Sequence, residues 1–123
     1  MRCARLIATS RVDPAELSLE AGHAVETETA NTIADGIATR VPIPGALPLL
    51  RLCCDDIVAV EEGAMMHAMH LAHRDLGILL EPSGAAGIAA IVADPERFRG
   101  RRIATLLSGA NLSNELRAQL LSL

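Results

Sequence analysis

The run Pro82-Ser83-Gly84-Ala85-Ala86-Gly87-Ile88-Ala89-Ala90-Ile91-Val92-Ala93 constrains the fold of this chain more than any other stretch. It opens on a serine suited to capping, stops at Asp94-Pro95, and consists largely of residues with little side chain, which predicts a helix. A helix of glycine and alanine has too little side chain to build a core of its own. It must therefore pack backbone-close against another part of the molecule. Around it, β-prone runs at residues 5–9, 55–60 and 102–107 predict three strands, two of them rich in β-branched residues. Helical spacing predicts a short helix over 29–39, with Asn31 or Thr29 as cap and Val41-Pro42-Ile43-Pro44 forbidding continuation. A second covers 47–54, and a terminal helix covers 114–121.

The best-defined helix follows the second strand. Glu61 and Glu62 complement its N-terminus, Met65, Ala68, Met69, Ala72 and Leu76 recur every three or four residues, and Gly77 supplies the stop. Strands alternating with helices predict a small layered α/β domain, with a mostly parallel sheet of about three strands flanked by helices. At 123 residues, half of them apolar, the chain reads as one domain over 1–123.

Phe98 is the lone aromatic residue. The core must be aliphatic, and no stacking platform for bases exists. The net charge is −4, and the one basic cluster, Arg97, Arg99, Arg101 and Arg102, falls in an expected loop. No nucleic-acid partner is expected. No apolar run is long enough to span a bilayer, and Met1-Arg2-Cys3-Ala4-Arg5 precedes too short an apolar stretch for a signal peptide. We expect a cytoplasmic protein without membrane contact, its three cysteines reduced and serving as small buried hydrophobes. His67, His70 and His73 lie three apart, but at roughly 100° per residue they spread over the flank and far side of the methionine stripe, which reads as a solvated face and not a metal site.

Three short motifs carry the functional signal: Thr32-Ile33-Ala34-Asp35-Gly36, Glu81-Pro82-Ser83-Gly84-Ala85 and Leu107-Ser108-Gly109-Ala110-Asn111. With Val12-Asp13-Pro14 and Asp55-Asp56-Ile57-Val58, their order over residues 12–112 resembles the C-terminal third of the serine/threonine dehydratases and serine racemases, fold-type II pyridoxal-phosphate enzymes. The resemblance implies a fragment of that fold's large domain. It implies pyridoxal phosphate as cofactor, and an ancestral reaction that converts an amino acid to a 2-oxo acid and ammonia. It assigns to Ser108 a hydrogen bond to the cofactor's pyridine nitrogen, to Asn111 and Gly109 the turn presenting it, and to Asp35, Gly36 and Glu81 the lining of the cofactor and substrate cleft. Asp13 would match one ligand of a divalent-cation site found in some relatives, though Leu17 and Leu19 stand where further oxygen ligands would be wanted. If position 110 were left-handed, Ala110 would strain the turn by about 1 kcal/mol.

The departures from the family are equally informative. All 11 basic residues are arginine, so the lysine that holds the cofactor is missing, and no two of the 9 glycines are adjacent to form the phosphate cradle. Arginine stays protonated and cannot replace that lysine. Three expectations follow: a truncated relative inactive by itself, one chain of a split enzyme whose partner bears the lysine, or a homo-oligomeric module, most simply a dimer, with a repurposed surface.

Overall fold

The computed structural model describes residues 5–10 and 14–122. A two-stranded parallel sheet is formed by β1 (Leu6–Ser10) and β2 (Asp56–Val60), in a register that pairs Ala8 with Val58 and Ser10 with Val60. The crossover between them carries α1 (Ala15–Ala21), a single 3₁₀ turn at Asp35–Ile37 and α2 (Ala46–Cys53). Then come α3 (Glu62–Leu76), α4 (Pro82–Ala93), the one-turn α5 (Pro95–Phe98) and α6 (Asn114–Leu121).

The core lies where α3 and α4 pack together over the sheet. Met65, Ala68, Met69 and Ala72 of α3 are buried with Ala85, Ala86, Ala89 and Ala90 of α4, joined by Val60, Leu80 and Leu120. Strand alternation explains the layering: Val58 and Val60 face this cluster, while Ile57, of opposite parity, is buried outside it. The end of α3 is as the sequence predicts, with Gly77 at φ 69° and its amide bonded to His73. Asp94 accepts from the Arg97 amide and starts α5, and the Arg97 guanidinium reaches Asp56 at the head of β2.

Four expectations need correction. The third strand does not form: residues 101–113 run without regular structure, and no ladder joins them to β1 or β2. They lie on the small-residue face of α4 instead, where β-branched composition alone supplies no partner strand. The helix expected over 29–39 shrinks to the turn at Asp35–Ile37, because its amides are spent elsewhere. Ile33 N–H donates to Glu62 Oε1 at 2.9 Å and Ala34 N–H to Thr32 Oγ1 at 3.2 Å, bonds that compete with helical ones. Helix α4 is not capped by serine; Glu81 is the N-cap, Pro82 takes the first helical position, and Ser83 lies inside. Cys53 is exposed and Cys54 half-buried, both as free thiols, so neither is a core residue. Two short helices were not expected: α1, which begins beside Pro14, and the single turn α5, whose Asp94-Pro95 start reads from sequence only as the end of α4.

The histidine face is mixed. His67 is exposed, but His70 and His73 are half-buried, and their Nδ1 atoms are enclosed without a partner. No helix among the described residues is long and apolar enough to cross a membrane. Arg74 holds the Asp75 carboxyl below its usual range, Arg99 does the same for Glu96, and the Glu115 carboxyl is lowered by its own backbone N–H and the Ser113 hydroxyl. A depressed carboxyl pKa stabilises the fold above the ordinary carboxylate range, an effect lost as pH falls through the lowered value. At these exposed positions it is small.

Candidate functional site

The site is organised by the first turn of α4. Glu81 at the N-cap grips the returning chain twice: its amide donates to the Gly109 carbonyl at 3.1 Å, and its carboxylate Oε2 accepts from the Asn111 amide at 2.9 Å. The turn thus hangs on one residue through a backbone bond and a charge-assisted bond, the stronger kind. Gly109 has φ +74°, which favours glycine, and a Cβ there would sit 2.2 Å from the Glu81 carboxyl carbon and push the carboxylate aside. No residue other than glycine has positive φ among those described. Ala110 is therefore unstrained, and the left-handed position is Gly109.

Small residues bring the returning chain close. A Cβ on Gly84 would lie 1.6 Å from the Ser108 carbonyl oxygen, and one on Gly87 would lie 2.0 Å from Thr105 Oγ1. This close approach is what a glycine–alanine helix demanded. The third piece arrives from the crossover, where a Cβ on Gly36 would come 2.8 Å from Ser83 Oγ and 3.6 Å from Glu81 Oε1. Gly36, Glu81, Ser108, Gly109 and Asn111 therefore converge from three distant parts of the chain. Asp35 opens the 3₁₀ turn with its side chain exposed, and Asp13 lies outside the described residues. Among the described residues, no group of three or more His, Cys, Asp or Glu is placed to hold a metal ion.

From the sequence Ser83 reads only as a helix cap, yet its Oγ is enclosed beside Gly36 with no hydrogen-bond partner. Its position one residue inside the Glu81-Pro82 helix start was the available signal. Ser108 is exposed, at the outer edge of the turn that Glu81 pins. A hydroxyl presented on so constrained a turn can donate to, or accept from, a ring nitrogen. These residues fit one edge of a pyridoxal phosphate ring. They do not fit its phosphate or aldehyde, for which the chain has neither a paired-glycine cradle nor a lysine.

A two-stranded parallel sheet, a small-residue helix packed on the returning chain and a pinned Ser-Gly turn define a piece of a fold-type II α/β enzyme. Comparison with known proteins agrees. The family model described as "Pyridoxal-phosphate dependent enzyme" matches residues 3–109, and the chain belongs to that family. It is 31% identical over 104 residues to an L-threo-3-hydroxyaspartate ammonia-lyase of Pseudomonas sp, covering 85% of this chain and 33% of the relative. It is 35% identical over 114 residues to the biosynthetic L-threonine dehydratase of Salmonella typhimurium, covering 89% of this chain and 22% of the relative. Among solved structures, a threonine deaminase from T.th. superposes with a TM-score of 0.82 at 32% identity, covering 89% of this chain and 36% of that one. The chain thus spans no more than a third of the length of these curated relatives.

Proposed function

We propose that this chain forms the pyridine-nitrogen edge of a pyridoxal-phosphate site of the dehydratase type, and that by itself it does not catalyse the reaction. The observation that carries this reading is the Glu81 clamp on the Ser108 turn in a chain without lysine. When bound, pyridoxal phosphate supplies the electron-withdrawing system through which an amino acid loses its α-proton and β-substituent. The chain's own contribution is positional. Glu81 fixes the turn, Gly109 lets it approach α4, and Ser108 offers a neutral hydroxyl that does not require a protonated ring nitrogen.

The pure chain with added pyridoxal phosphate is expected to release no 2-oxo acid from L-serine or L-threonine in a coupled lactate dehydrogenase assay. It is nonetheless expected to show a rise in thermal midpoint with the cofactor, of several degrees at about 100 times Kd, that Ser108→Ala removes. Measurable turnover by the pure chain would sink the claim of inactivity. A midpoint indifferent to the cofactor would sink the claim of a surviving edge.

A second reading, that another polypeptide covers this chain, is favoured by its exposed apolar residues: Ile43 at 73%, Leu49 at 62%, Leu52 at 72% and Leu106 at 89%. The partner is either a lysine-bearing chain that completes the enzyme or a second copy. Light scattering on the pure protein is expected to give the mass of a dimer. A monomer mass at high concentration would leave only the lysine-bearing partner.

A further inference from the structure

We propose that the outer face of α2 is a homodimer interface, paired across a twofold axis with α2 of a second copy, an inference that rests on the reading above that another polypeptide covers this chain. Helix α2 runs Ala46-Leu47-Pro48-Leu49-Leu50-Arg51-Leu52-Cys53, apolar in every direction but that of Arg51. A helix of this kind is ordinarily buried all round. Here only its inner side is. Leu47 is buried and Leu50 half-buried, whereas Leu49 and Leu52 are 62% and 72% exposed. Ile43, 73% exposed, stands in the turn that leads into the helix, its carbonyl accepting from the Ala46 amide.

The one charge on α2 is turned towards α1, where Arg51 Nη2 donates to the Leu19 carbonyl at 2.9 Å. The outer face of the helix therefore carries neither a cation for phosphates nor a carboxylate. An uncharged apolar surface is complementary to itself, which a twofold contact requires, and the twofold sets the two α2 dipoles antiparallel. Its size is sufficient. Ile43, Leu49 and Leu52, with Val41, Pro48 and Cys53 exposed beside them, present roughly 500 Å² per copy, so that pairing removes roughly 1,000 Å² from water, the total at which a specific interface becomes stable.

The position of α2 selects the second copy over a chain that completes the cofactor site. Val58 and Val60 face the α3–α4 cluster, while Ile57, of opposite parity, shares a hollow with Glu16, Leu19 and Glu20 of α1. Helix α1, and α2 tied to it through Arg51, thus lie across the sheet from α4 and the Ser108 turn. A lysine-bearing chain has to meet the Ser108 edge, and the sheet stands between that edge and α2. A second copy brings a surface of the same shape and polarity.

The test is sedimentation velocity of the pure chain over a dilution series. The parent is expected to sediment as a dimer that dissociates on dilution. Leu49→Glu with Leu52→Glu is expected to halve the mass throughout, with the far-ultraviolet circular dichroism of the parent, since both side chains meet solvent in a single copy. The milder Leu52→Gln is expected to weaken the dimer tenfold or more. Leu106→Glu, at a leucine 89% exposed near the Ser108 turn, is expected to leave the dimer intact. A parent that is monomeric throughout would overturn the interface and leave only the lysine-bearing partner, and a monomer that co-sediments with phosphatidylcholine vesicles would give the face to a lipid surface instead. A dimer that survives both Leu52→Gln and the double substitution, or that Leu106→Glu abolishes, would also overturn it, placing the contact elsewhere while the homodimer itself stands.

Discussion

Gly84→Ala is expected to destabilise the chain by about 3 kcal/mol, lowering the thermal midpoint on the order of 10 °C. One methyl group does this because the new Cβ would sit 1.6 Å from the Ser108 carbonyl oxygen, and backbone cannot swing aside as a side chain can. The returning chain must lift from α4. Its bonds to Glu81, the Gly109 carbonyl to the amide and the Asn111 amide to the carboxylate, must then stretch or break, at about 1 kcal/mol each. Gly87→Ala is the internal control. Its Cβ would meet Thr105 Oγ1, the end of an exposed side chain that can rotate, and the gain in helix propensity from glycine to alanine offsets about 1 kcal/mol. The two variants are therefore expected to differ by about 2 kcal/mol or more in urea denaturation. Equal effects would mean that residues 105–111 do not lie on α4 as described, and the candidate site would lose its frame.

The same contact shows how far the sequence could be read. A helix with almost no side chains announces that something lies against it, and that much was legible in residues 82–93. What lies against it was not. Residues 102–107 carry the composition of a strand, but a strand is a relation between two backbones, and composition does not say whether the second is present. Likewise Ile33 and Ile37 have helical spacing, yet the amides of Ile33 and Ala34 are claimed by Glu62 and Thr32. The first of these is a contact across 29 residues that periodicity cannot see. By contrast α3 was legible almost to the residue, because its stripe, its acidic start and Gly77 all point the same way.

The candidate site follows the same logic. Gly36, Glu81 and the Ser108 turn were identifiable from motif order, but the clamp joining them depends on which amide meets which carboxylate. Ser83 was invisible as an unpartnered hydroxyl, since burial without a partner belongs to the folded structure alone. Ala110 was suspected of strain because the family that the chain resembles usually has a second glycine at that position. The structure gives the left-handed conformation to Gly109, one position earlier.

Met69→Ala is expected to cost about 3–4 kcal/mol, towards the upper part of the range for emptying a buried methionine site. The reason lies in what faces it. Met69 is fully buried in the cluster with Ala85, Ala86, Ala89 and Ala90 of α4, residues without rotamers that could extend into the space left behind. A core with one aromatic residue and few long side chains concentrates its volume in α3's methionines, so each carries more of the packing than in a mixed core. Against a total stability of roughly 6–18 kcal/mol for a domain of this length, the loss is a large share, and the urea midpoint should fall accordingly with an unchanged slope. Met69→Leu, which conserves volume, is expected to cost less than about 1.5 kcal/mol, and His67→Ala on the exposed face of the same helix to stay within about 0.5 kcal/mol of the parent. If Met69→Ala instead costs under about 1 kcal/mol, well below the range for such a site, the α3–α4 interface collapses around the missing side chain. The alanine face of α4 would then be adaptable, and the helix would be a poor frame for the turn held against Gly84 on its other side.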